Sequence, residues 1–121
     1  MGTKSDQVNE YLHPLVREIL EDGEDDWVMA DNVIAYATEY SNSSGRNPKE
    51  VAGEFLYAIL ENGLMEVGDL EEPGFVPWSH SLDETFEKCI QGFVAYDWEP
   101  LGALWWLRIT EHGRRWLREH S

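Results

Sequence analysis

The side chains best suited to chemistry are four histidines, one cysteine and a surplus of carboxylates, and their spacing argues against most reactions they could serve. His13, His80, His112 and His120 never fall three or four residues apart, the spacing that puts two imidazoles on one helical face to hold a metal. His80 precedes Asp83 and Glu84, an oxygen-rich edge, but Ser81 followed three residues later by Glu84 is the pattern of a helix capping box. The acidic run 21–26 lacks the alternating ligands and terminal Glu of a calcium loop, so it reads as a solvated loop. Gly63 and Gly68 are separated by strand-like residues with no Lys-Ser or Lys-Thr behind them, so no phosphate-binding loop is present. No Gly-x-Ser-x-Gly nucleophile elbow occurs either. Cys89 stands alone and falls in a helical stripe with Phe86, Ile90 and Phe93, which reads as a small buried hydrophobe. The expectation is a protein that is not an enzyme and uses neither metal nor cofactor.

Those residues sit in 121 positions, the size of one domain, and 42% are hydrophobic with six Trp. That is too apolar and aromatic for disorder, so one domain spanning 1–121 with an aromatic core is expected. No apolar run approaches the roughly 20 residues that span a bilayer, and the start of the chain does not read as a secretory signal. A cytoplasmic protein without membrane contact is expected. The net charge is −15, and it is uneven. Residues 1–100 hold 22 acids and five bases, whereas 101–121 hold two acids and four arginines. Such a field repels phosphate backbones and attracts basic partners.

Periodicity predicts a first helix over 6–21, with Pro14 either interrupting it or opening its main part after a loose turn. Gly23 is expected to cap its end, and 27–29 to form a minimal strand. A second helix is expected over 32–40, capped by Asp31 or Asn32, with 41–47 as a polar turn. Asn47 and Pro48 announce a third helix over 48–61. Residues 64–70 alternate as a half-buried strand, and 75–78 resume as a short edge strand. A fourth helix follows over about 81–97, then a strand over 104–109 and a last helix over 111–119 capped by Thr110.

This order, helix, strand, helix, helix, strand and later a strand running into a helix, is that of a winged helix-turn-helix. The segment LWWLRITEHGRRWLRE, 104–119, resembles the wing strand and following helix of MarR-like and PadR-like regulators, matching at Ile109, Thr110, Glu111, Gly113 and Arg114. The run LENGLMEVGDL resembles a third helix entering the first wing strand. The strand pair GLMEVGDL and GFVPW, with the acidic helix and Trp-rich last strand, also resembles a group of small uncharacterised bacterial proteins. The resemblance implies an α+β, winged-helix-like fold, mostly helical with a small antiparallel sheet. The fourth helix would be an insertion between the wing strands.

Two functions compete. A DNA-binding third helix needs cations toward bases and phosphates, yet this one offers Lys49 against Glu50, Glu54 and Glu61, and the turn 71–74 adds Glu71 and Glu72. The favoured reading is an acidic binding module that engages a protein partner, for which a basic or nucleic-acid-binding protein would suit the charge. Its contact surface is expected at Glu50, Glu54, Tyr57, Glu61, Glu71 and Glu72, with Trp105 or Trp106 as aromatic anchor. Neighbouring strand residues point to opposite faces, so one of the two tryptophans faces outward unless the fourth helix covers it. Self-association is an equally consistent use of that aromatic surface. The alternative is a dimeric transcription regulator that grips DNA with Arg46, Lys49 and the C-terminal Arg114, Arg115 and Arg118.

Overall fold

The computed structural model describes residues 8–72 and 74–120. A single 3₁₀ turn, Glu10–Leu12, leads into helix α1, His13–Asp22. Pro14 sits in the first turn of α1, where its missing N–H has no helical partner to lose. The proline therefore opens the main helix; residues 6 and 7, expected in the same helix, lie outside the described residues. Gly23 caps the end of α1 as expected, at φ −84°, a conformation open to any residue. A Cβ there would stand 2.9 Å from the Met65 methyl, so that flexible side chain would have to shift.

Strand β1, Val28–Met29, is followed by α2, Asp31–Ser44. Neither Asp31 nor Asn32 caps α2: the N-cap is Ala30, with no side-chain bond. The Asp31 carboxylate instead accepts the distant Gly102 N–H, and Asn32 donates to Asp22. The polar stretch expected as a turn from Ser41 is helical as far as Ser44, because Ser41 faces the interior and Gly45, at φ 81°, is the first residue free to turn away. Helix α3, Pro48–Glu61, starts as expected, with the Asn47 side chain accepting the N–H groups of Lys49 and Glu50.

Strands β2, Met65–Leu70, and β3, Phe75–Pro77, form an antiparallel hairpin. Helix α4, Leu82–Ala95, begins with both halves of the capping box in place. Strand β4, Trp106–Ile109, runs directly into α5, Glu111–Glu119. The described residues thus form an α+β fold of five α-helices and one antiparallel sheet in the order β1-β4-β2-β3. The last strand fills the centre of the sheet, and α4 lies in the chain between β3 and β4.

The β4–α5 junction explains its own sequence. The Thr110 hydroxyl donates to the Gly63 carbonyl at 2.6 Å and accepts the Gly113 N–H at 2.9 Å. A Cβ on Gly113 would collide with the Leu64 carbonyl oxygen, so α5 can begin against the end of α3 only with glycine there. The inner sheet face, Val28, Met65, Val67, Leu107 and Ile109, joins Phe55, Leu56, Ile59 and Phe93 from α3 and α4 in one buried cluster. Each such large side chain contributes about 1.5–3 kcal/mol by leaving water. No helix among the described residues is long and apolar enough to cross a membrane.

Candidate functional site

Two surfaces carry the residues of interest, and the fold treats them differently. The first is the outer side of α3. Helix α4 lies against it: the Phe86 ring meets Tyr57 edge-on at 5.1 Å between centroids, over Gly53. A cleft of about 350 Å³ remains beside this contact, lined by Glu54, Tyr57, Glu61 and Phe86. The cations at the start of α3 are engaged within the chain. Arg46 donates to both oxygens of Glu54 at 3.1 and 2.9 Å, lies 3.8 Å from Glu50, and stacks 5.1 Å over Tyr11. Lys49 Nζ lies 5.8 Å over the Trp98 ring. Glu50 and Glu61 are exposed.

The C-terminal arginines do not extend this patch at its near end. Arg114, in the first turn of α5, donates to the Glu24 carbonyl at 3.2 Å. That turn abuts Gly63 and Leu64 at the far end of α3, whose 14 residues separate it from Arg46 and Lys49 by about 20 Å. Arg115 lies 3.0 Å from the His112 ring nitrogen, and Arg118 is exposed.

The second surface is the outer face of the sheet. Strand register places Met29, Trp106, Gly68 and Pro77 in one row across all four strands, with Glu66 and Arg108 in another and Leu70 and Phe75 in a third. Gly68 is required here: a Cβ would meet the Phe75 ring at 2.7 Å and press on the Val76 carbonyl. Phe75 therefore folds across the sheet, with Arg108 stacked 4.5 Å above it and held by Glu66 at 2.8 Å. Trp27 joins from beside β1, its ring 6.2 Å from Phe75 and in contact range of Gly74. Glu71 and Glu72 of the same hairpin turn are exposed. Pro73, in the same turn, lies outside the described residues.

Of the two adjacent tryptophans, Trp105 is not an exposed anchor. It retains 3% of its surface, packed on Phe93 of α4 at 5.3 Å and on Trp78 at 6.5 Å. Trp106 is half-buried on the outer face. Alternation required opposite faces; the packing of α4 decides that Trp105 is the covered one.

Trp27, Met29, Phe75 and Leu101 also belong to this second surface and are missing from the residues expected above. Trp27 and Met29 flank the buried Val28, so the alternation was present in the sequence; the turns that bring Phe75 and Leu101 near them left no comparable signal. His80, Asp83 and Glu84 line an open depression beside α4, and no group of three His, Cys, Asp or Glu among the described residues is placed to hold a metal. Burial pushes the Cys89 thiol well above its ordinary range and keeps it neutral. Partial burial and a hydrogen bond to the Asp22 carboxylate push the Tyr36 phenol up likewise.

No family model matches the chain, and neither a curated protein nor a solved structure is detectably similar to it.

Proposed function

We propose that this chain is a non-enzymatic, acidic module of winged-helix-like form that binds a basic protein partner. The order β1-β4-β2, with α2 and α3 between β1 and β2, is compatible with a winged helix and supports this reading, on which β3 and α4 are an insertion before the second wing strand. The observation that carries the function is the fate of α3's cations. Arg46 is matched by Glu54 and Glu50, Lys49 lies on Trp98, and α4 stands on the helix that a regulator would lay in a DNA groove. What α3 and the hairpin turn present instead is Glu50, Glu61, Glu71 and Glu72, on a chain of net charge −15. Such a surface adds to affinity for cations and subtracts from affinity for phosphates.

The test compares three fluorescent ligands by anisotropy at about 50 and 200 mM salt, a range over which phosphate contacts weaken steeply. They are a random-sequence DNA duplex, a peptide alternating Arg and Leu, and an equally charged peptide alternating Arg and Ser. The expected result is no binding of the duplex, and tighter binding of the Arg-Leu peptide than of the Arg-Ser one. Duplex binding that falls with salt, or failure to bind either peptide, overturns the reading.

A further inference from the structure

We infer that the outer face of the sheet is the docking surface, and that it takes a partner-protein segment carrying a large apolar side chain beside an arginine or lysine. This rests on the basic-partner reading above. Four of the large hydrophobic residues that stay exposed border this one face: Trp27 at 40%, Met29 at 38%, Leu70 at 39% and Leu101 at 88%. The patch is built, not loose. Phe75 is seated over Gly68 and clamped beneath the Arg108–Glu66 pair. Leu101 takes φ 50°, a conformation uncommon for leucine, in a turn tied down by the Gly102 N–H to Asp31 and adjoining Met29. A leucine held there with almost its whole surface in water is presented, not packed.

Charge selects the occupant. Beside Trp27 lies an open depression of about 450 Å³ lined by Glu24, Asp25 and Asp26, and Glu71 and Glu72 are exposed in the turn before Phe75, whose ring lies 6.2 Å from Trp27. Arg108 is neutralised by Glu66, which leaves Arg114 as the cation against those acids. An ammonium or guanidinium entering the depression gains attraction while its neighbouring apolar side chain covers Met29 and Trp106. A second copy would bring the same acids against one another on two chains of net charge −15 each, and nucleic-acid phosphates would meet the same repulsion.

Random dodecapeptides displayed on phage are selected on the full chain at about 150 mM salt, where exposed charges separated by more than about 8 Å are screened. The expected winners combine Trp, Phe or Leu with Arg or Lys. Their affinity as synthetic peptides falls at least about tenfold on the double variant Met29→Glu, Leu101→Glu, and on Asp25→Lys, Glu72→Lys. All four positions are exposed, so unchanged melting temperatures verify the fold. Winners that keep full affinity for both variants but lose it on Glu50→Lys, Glu61→Lys would overturn this face and leave the basic-partner reading standing. Winners without cations, or no enrichment at all, would overturn both. Gel filtration showing a dimer that Leu101→Glu disperses would assign the face to a second copy and overturn the inference.

Discussion

The outer side of α3 and the outer face of the sheet began as two halves of one expected surface, and the fold separates them. On α3, helix α4 takes up the aromatic residue, Tyr57, while Arg46 is matched by Glu54 and Lys49 lies over Trp98. On the sheet, aromatic and apolar side chains remain open and the acids stand at their margin. The same composition of acids and aromatics is thus satisfied within the chain in one place and left for something else in the other. Composition cannot distinguish the two; the presence of α4 over one of them does.

The two surfaces each contain a glycine facing an aromatic ring, and these should respond in opposite ways. Gly68→Ala forces Phe75 off the sheet and should lower stability by about 3 kcal/mol in urea unfolding. A loss under about 1 kcal/mol would mean that Phe75 is not seated as described. Phe86→Ala should lower stability by about 2 kcal/mol, less than for a fully buried ring, because Phe86 is only half-buried against Tyr57. If that loss is absent, α4 does not anchor on α3 through this pair.

The covering helix also sets a pH dependence. Cys89, fully buried on the inner side of α4, has its folded-state pKa raised above the ordinary 9.0 by burial. The unfolded chain therefore loses that proton first. The associated stability is fully present below about pH 9 and is lost as pH rises beyond it. Melting temperature should fall above pH 9 and less steeply in Cys89→Ala; equal slopes would remove Cys89 as a cause. A thiol reagent at neutral pH should leave the native protein unlabelled.

Smaller effects complete the contrast. At Gly53 the Phe86 ring would be 4.0 Å from a new Cβ, ordinary contact, so Gly53→Ala should stabilise α3 by about 0.5–1 kcal/mol in the same urea assay. Arg46→Ala should cost less than about 1 kcal/mol, because its ion pairs are solvent-exposed, and should not create DNA binding.

Much of this arrangement is written locally. The Asn47–Pro48 start of α3, the Ser81–Glu84 box of α4 and the Thr110–Gly113 start of α5 each involve residues within three positions of one another, and each forms as the spacing requires. The extension of α2 to Ser44 was hidden because Ser41, a turn former by type, is buried by tertiary packing. Which of Trp105 and Trp106 faces outward depends on β4 pairing with both β1 and β2 and on α4 covering one side. The sheet surface was least legible of all. Trp27 against Phe75 of the hairpin and Gly102 beside Met29 join segments far apart in the chain, and no periodicity records such meetings.

The most direct test titrates the Arg-Leu peptide into two folded variants side by side, one altered on each surface. With Asp25→Lys, Glu72→Lys on the sheet side, affinity should fall at least about tenfold; with Glu50→Lys, Glu61→Lys on α3, it should fall less than about twofold. The reverse order would contradict the account, placing recognition on α3 and leaving the open sheet face without a part in it.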